Sequence, residues 1–235
     1  MHVPDGFLDV PTSVATGVVA AAAIGVSLRG ARRELDDRTA PLTGLVAAFV
    51  FAVQMLNFPV GAGTSGHLLG GALAAVLVGP WTGVLCMSVV LLVQALFFAD
   101  GGITALGTNV VLMGVLTVAA GWLVFRLALR LLPARRSSTV PASFVAGLIS
   151  VPVSALGFVA LYAVGGTADI SLAALATAML GWHVLIGLGE AAITAATVAT
   201  VLAVRPDLVY GARKFLAGQE LTIRTGPVVS KEVSS

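Results

Sequence analysis

Hydrophobic positions in this chain fall in long, nearly unbroken runs, without the alternation of half-buried strands. The runs cover residues 12–28, 42–56, 67–79, 82–98, 103–126, 140–164 and 172–204. A bilayer core about 30 Å thick takes about 20 apolar residues to span as a helix. The last run has room for a short helix over 172–180 followed by a full span from 182. The runs 42–56 and 67–79 are short, and they flank the Gly- and Pro-rich stretch Asn57-Phe58-Pro59-Val60-Gly61-Ala62-Gly63-Thr64-Ser65-Gly66-His67. Irregular backbone cannot face lipid, so this stretch is expected inside protein or along a wet cavity. Interrupted apolar segments of this kind are where membrane transporters build binding sites.

Composition strengthens this picture. Of 235 residues, 58% are hydrophobic and 10% are charged, against roughly 25% charged in a soluble domain; mean hydropathy is +1.02. A cytosolic enzyme, a disordered chain and a nucleic-acid binder are disfavoured, and a net charge of +2 is too small to argue for anionic partners. The single cysteine, Cys86, excludes an intrachain disulfide and a thiolate cluster. Residues 1–28 carry no Lys or Arg, unlike the basic start of a secretory signal, so Met1 is expected to be the mature terminus.

Charge placement sets the expected topology. All 13 Lys and Arg fall in 29–38, 126–136 and 205–231, regions that the positive-inside rule makes cytoplasmic. The fold class that follows is an all-α integral membrane protein of about seven transmembrane helices, N-terminus outside and C-terminus cytoplasmic. This count needs a tight, uncharged inner turn at Gly79-Pro80-Trp81. Residues 1–204 read as one transmembrane domain and 205–235 as a polar cytoplasmic tail of little structure. Outside, Asp5, Asp9, Asp100 and Asp169 face no basic residue, a sign that attracts cations. Gly17, Ala21 and Gly25 form a small-residue stripe that suits close helix contact, within the bundle or against a partner.

Three histidines carry the candidate chemistry: His2, His67 and His183. A histidine in second position behind a free amine offers three nitrogens: the Met1 amine, the deprotonated His2 amide and the imidazole. Such a set suits Ni²⁺ and Cu²⁺, then Co²⁺, and serves Mg²⁺ and Ca²⁺ poorly. Binding should release protons, so affinity should fall with pH. Pro4-Asp5-Gly6 suits a turn that folds the terminus back, with Phe7 and Leu8 as apolar anchors. His67, at the end of the glycine-rich stretch, could supply a fourth nitrogen. His183 and Glu190 lie two helical turns apart on one face, suited to orienting a ligand or to a polar contact between helices. No GxxxxGK[ST] loop occurs, so ATP hydrolysis would need a partner.

Four ordered motifs make the chain similar to a known family. Met1-His2-Val3-Pro4-Asp5-Gly6-Phe7-Leu8 resembles the N-terminal signature of the CbiM/NikM family. Asn57-Phe58-Pro59-Val60 with Gly63-Thr64-Ser65-Gly66-His67-Leu68-Leu69-Gly70 resembles its second motif, residues 94–109 a third, and His183 through Thr194 a fourth. The likeness runs from residue 1 to about 204. The loop reads Val60-Gly61-Ala62-Gly63 where the family suggests Val-Ala-Gly-Gly.

The resemblance implies the substrate-capture subunit, or S component, of an energy-coupling factor transporter importing Co²⁺ or Ni²⁺. The metal would be the transported substrate, with no organic cofactor. It implies a seven-helix fold plugged by its own terminus, with metal held by Met1, His2 and His67. Asn57, Ser65, Asp100, Asn109, His183 and Glu190 become candidates for support or coupling. Implied partners are a transmembrane coupling subunit (T component), two ATPase subunits (A components), a small accessory membrane protein and the bilayer, with no nucleic acid. The location would be a bacterial or archaeal plasma membrane. Cues for the metal conflict: Pro4-Asp5-Gly6 leans to nickel-type members, and the absence of a long fused C-terminal region leans to cobalt-type ones.

Two rival readings remain. Gly63-Thr64-Ser65-Gly66 with His183 resembles a rhomboid-type serine protease, Ser65 acting as nucleophile, but leaves His2 and residues 94–109 without a role. A stand-alone channel or secondary transporter for metal ions would work without ATPase partners.

Overall fold

The computed structural model describes residues 1–36, 39–61 and 64–216. Helix α1, Val10–Ala31, has a local starting signal: Asp9 Oδ1 accepts the Thr12 N–H at 2.8 Å and a proline sits in the first turn, where its missing N–H loses nothing. Helices α2 (Ala40–Gln54), α3 (Gly71–Val78) and α4 (Pro80–Phe97) follow, with strands β1 (Phe58–Gly61) and β2 (Thr64–Gly66) between α2 and α3. Helix α5 (Leu106–Asn109) continues through a π-wound segment, Val110–Leu116, into α6 (Thr117–Leu131). Helices α7 (Thr139–Gly165) and α8 (Leu172–Val204) complete the bundle, and α9 (Arg213–Leu216) closes the described chain.

Among the described residues, five helical stretches are long and apolar enough to cross a membrane: α1, α4, Leu106–Leu131, Arg136–Gly165 and α8. Two more are shorter. Helix α2 has 15 residues, and α3 has eight, every one buried. The glycine-rich stretch is an antiparallel hairpin, Phe58 opposite Gly66 and Pro59 opposite Ser65. The all-helical class holds, and this hairpin is a local departure in which backbone groups of a Gly- and Pro-rich stretch pair across two short strands instead of along a helix.

The expected break before residue 182 is absent. Helix α8 runs unbroken for 33 residues, about 50 Å at 1.5 Å per residue, so it overshoots a bilayer core. No proline interrupts it, Gly181 has open space around it, and Ser171 caps its start by accepting the Ala174 N–H at 3.3 Å. Helices α7 and α8 pack along each other, and a methyl at Gly147 would sit 3.0 Å from the Ala191 Cα. Small residues permit that backbone approach.

The uncharged turn between α3 and α4 is fastened from elsewhere in the chain. Gly79 has φ of 99°, a backbone state suited to glycine. The Glu34 carboxylate, 3% exposed, accepts the N–H groups of Trp81 and Thr82 at 3.2 and 2.7 Å. It thereby caps α4 where orphan donors and the helix dipole favour an anion. The start of the supposed tail is folded as well: Val209 and Ala212 are fully buried, and Tyr210 packs on Trp122 at 5.5 Å between ring centroids. The expected tail beyond residue 216 lies outside the described residues. In the stripe on α1, Gly17 meets Gly107, whereas nothing packs at Gly25.

Candidate metal site

The first nine residues run back into the bundle and are pinned throughout. Asp9 N donates to Gly165 O at 2.7 Å, Thr167 N to Phe7 O at 3.1 Å, and Leu8 bridges Gly166. Phe7 stacks on Phe158 and Tyr162, with centroids 5.6 and 5.3 Å away. Asp5 Oδ1 accepts the Thr104 N–H and hydroxyl at 2.7 and 2.5 Å, bonds that hold its carboxyl below the usual carboxylate range. Val3 donates to Asn109 Oδ1 at 2.8 Å, and its carbonyl accepts from Asn109 Nδ2 at 3.2 Å and from Gly102 N at 3.0 Å. Met1 is 1% exposed and His2 6%.

This insertion brings His2 and His67 together. Their rings stack with centroids 4.5 Å apart and planes 27° apart. His67 Nδ1 lies 2.8 Å from Leu68 O; a carbonyl only accepts, so Nδ1 carries the proton. The remaining nitrogen, Nε2, keeps its lone pair and is buried without a hydrogen-bond partner. A ring nitrogen prepared in this way is how proteins orient a metal-binding imidazole. His2 Nε2 lies 3.1 Å from Gln94 Oε1. His2 Nδ1 lies 3.0 Å from Asp100 Oδ1, within ion-pair range, although the contact is off the direction of a hydrogen bond. Burial pushes the Met1 amine down from 8.0 to about 4, partly opposed by the Asp100 charge. At neutral pH that amine is therefore uncharged, with its lone pair free to bind.

The loop carrying His67 is clamped from behind. Glu190, 2% exposed, accepts the N–H groups of Leu69 and Gly70 at 2.6 and 3.0 Å. Gln54 Nε2 donates to Leu69 O at 2.6 Å. Asn57 Nδ2 donates to Asp100 Oδ2 at 2.8 Å at the rim. His183 and Glu190, expected on one helix face, make separate contacts. Glu190 serves the loop, and His183 Nδ1 lies 2.7 Å from Met179 O, its buried Nε2 unpartnered. The Ser65 side chain lies outside the described residues. Sequence reasoning missed Gln54 and Gln94 as site residues; fully buried amides inside apolar helices were the available signal.

Among the described residues no three His, Cys, Asp or Glu side chains form a metal-ligating group. The donors that converge are two imidazoles and the amino-terminal main chain, a nitrogen set that fits late first-row divalent ions. Gly101 makes room for this packing. Its φ is 91°, and a Cβ there would lie 3.0 Å from Asn109 Nδ2 and 3.1 Å from His2 Cδ2. Gly101→Ala is expected to cost about 1–3 kcal/mol through the strained backbone. It should also speed amide exchange over residues 1–5, read by thermal unfolding and hydrogen-exchange mass spectrometry.

The structure is a bundle of long apolar helices plugged by its own amino terminus, with a buried nitrogen cluster inside. The chain belongs to the CbiM family, described as the cobalt uptake substrate-specific transmembrane region, which matches residues 2–208. It is 44% identical over 218 residues to a putative metal transport protein of Haloquadratum walsbyi, covering 89% of this chain and 94% of that one. It is 35% identical to the cobalt transport protein CbiM of Sorangium cellulosum, covering 88% and 94%. It is 41% identical to a putative fused nickel transport protein NikMN of Archaeoglobus fulgidus, covering 89% and 68%. A crystal structure of a truncated transition metal transporter superposes with a TM-score of 0.79 at 29% identity, covering 86% of this chain and 99% of that one. Membership in a metal-uptake family leaves the serine-protease reading without support.

Proposed function

We propose that this chain is the substrate-capture subunit of an energy-coupling factor importer for Co²⁺ or Ni²⁺. The metal is bound by the Met1 amine, the deprotonated His2 amide, the His2 imidazole and His67 Nε2. The observation that carries this reading is the buried His2 ring stacked on His67 beside an uncharged, buried amine. Glu190, Gln54, Asn109 and Gln94 hold the ligand-bearing segments, and Asp100, beside His2 Nδ1, draws the cation in. The amino-terminal face is outside and the three arginine-rich regions are cytoplasmic. Release inward is driven by partners: a transmembrane coupling subunit, two ATPases and a small accessory membrane protein in a prokaryotic plasma membrane. His183 takes a supporting place outside the ligand set.

The pH dependence follows from which groups still hold protons. The amine is already deprotonated above about 4, so the proton released at neutral pH comes from the His2 amide and not from Met1. Affinity should therefore rise with pH, by about tenfold per unit for one proton released per metal. Below about 4 the amine also competes and the slope steepens. Isothermal titration in buffers of different ionisation enthalpy reads the proton count, and a flat profile from pH 5 to 8 defeats amide coordination. The direct test of function is elemental analysis of untagged protein offered Co²⁺ and Ni²⁺ together, with vesicle uptake measured with and without partners. Tight, near-stoichiometric capture and partner-dependent uptake are expected; uptake by the chain alone would instead establish a channel or secondary transporter.

A further inference from the structure

Opposite the metal site, two adjoining hollows open at the arginine-rich end of the bundle. The first is an apolar groove of about 930 Å³ between α1, α4 and α6, walled by Val19, Val26, Val84, Val118, Leu123 and Leu127. The second, about 420 Å³, is lined by Arg33, Arg126, Arg130, Arg213 and Lys214. Trp122, Tyr210, Arg126 and Arg130 line both, so the two are continuous.

Five cations from three separate parts of the chain therefore ring the polar end of an apolar slot, and among the described residues little opposes them. The Glu34 carboxylate is committed to the Trp81 and Thr82 amides. Arg213 Nη2 lies 3.6 Å from Asp36, with Nη1 donating to Glu34 O at 3.1 Å and its guanidinium over the Tyr210 ring. Arg33, Arg126 and Arg130 are exposed and make no ion pair among the described residues. Half-buried Trp122 and Tyr210, which line both hollows at the junction, suit the boundary between acyl chains and headgroups.

We propose that this composite hollow is a binding site for one anionic phospholipid, its acyl chains in the α1–α4–α6 groove and its phosphate among the five cations. Guanidinium groups match phosphate oxygens in pairs, and basic pockets between spanning helices recognise anionic headgroups in this way. The site ties α1 to α6 and to the folded segment at 206–216 through a lipid of the leaflet at that end.

The test is native mass spectrometry of the whole chain released from mixed micelles. The probes are phosphatidylglycerol and phosphatidylcholine with identical acyl chains, and inorganic phosphate. One phosphatidylglycerol should be retained at least tenfold over phosphatidylcholine, and millimolar phosphate should leave it in place. Arg126→Gln with Arg130→Gln should erase that preference with Co²⁺ and Ni²⁺ binding unchanged. Ala119→Trp, which fills the groove and keeps all five cations, should reduce retention of both lipids. Equal retention of the two lipids, displacement by free phosphate, or full retention by the double variant would overturn the proposal. So would a benzophenone side chain at Leu123 that cross-links a protein in native membranes instead of phospholipid.

Discussion

One glycine placed ahead of Met1 is expected to weaken Co²⁺ and Ni²⁺ binding more than about 100-fold, beyond the loss typical of removing a supporting contact. The extension turns the primary amine into an amide, whose nitrogen lone pair is delocalised into the carbonyl. It also demands space that is not there: Met1 is 1% exposed and its sulfur lies 3.8 Å from Ser154 Oγ. The segment cannot slide outward to make room, because Val3 is held at both its N–H and its carbonyl. His2→Ala should match this loss while leaving the amine intact, since it removes the imidazole alone. Isothermal titration of the two variants and the native chain reads the effect. Unchanged affinity in the extended protein would remove the amine from the ligand set.

The second large effect is expected at Glu190, a residue that does not belong to the ligand set. Glu190→Ala leaves the buried Leu69 N–H and the half-buried Gly70 N–H without their acceptor, at about 1–3 kcal/mol each at most. A loss of at most about 2–6 kcal/mol in stability is expected, together with about a 10–100-fold loss of metal affinity. The link to metal is the loop: His67 stands two residues before Leu69, and Gln54 grips the same residue through its carbonyl. Glu190→Gln keeps one acceptor oxygen and should recover part of both losses. Thermal unfolding and titration separate the two roles. Lost stability with unchanged affinity would make Glu190 a packing residue only.

Much of this was legible in the chain, and particular residues show where legibility stopped. His2 stood out because a second-position histidine has specific chelate chemistry, and the glycine-rich stretch because its backbone cannot face lipid. Glu190 was visible as a carboxylate in an apolar helix, but which groups it holds was not. The spacing to His183 shows only a shared helix face, while the N–H groups that Glu190 accepts sit 120 and 121 residues away on the His67 loop. Gln54 and Gln94 sit inside apolar runs, and Glu34 stands among the charged residues that follow α1, so none of them carries a local mark of its role. The break expected before residue 182 failed for the converse reason: local sequence allowed a stop at Gly181, and nothing in the bundle required one.

Local composition alone determined that the chain is membrane-embedded, where its helices start, and which nitrogen donors it offers. These are properties of single residues and short segments, governed by transfer free energy and backbone propensity, which act without regard to distant neighbours. Tertiary structure alone decided that residue 2 meets residue 67, that Glu190 clamps their loop, and that Glu34 closes the turn at Gly79. Those contacts join groups far apart in the chain. They are selected by close packing and by the cost of leaving buried polar groups without partners, which only the finished structure can balance.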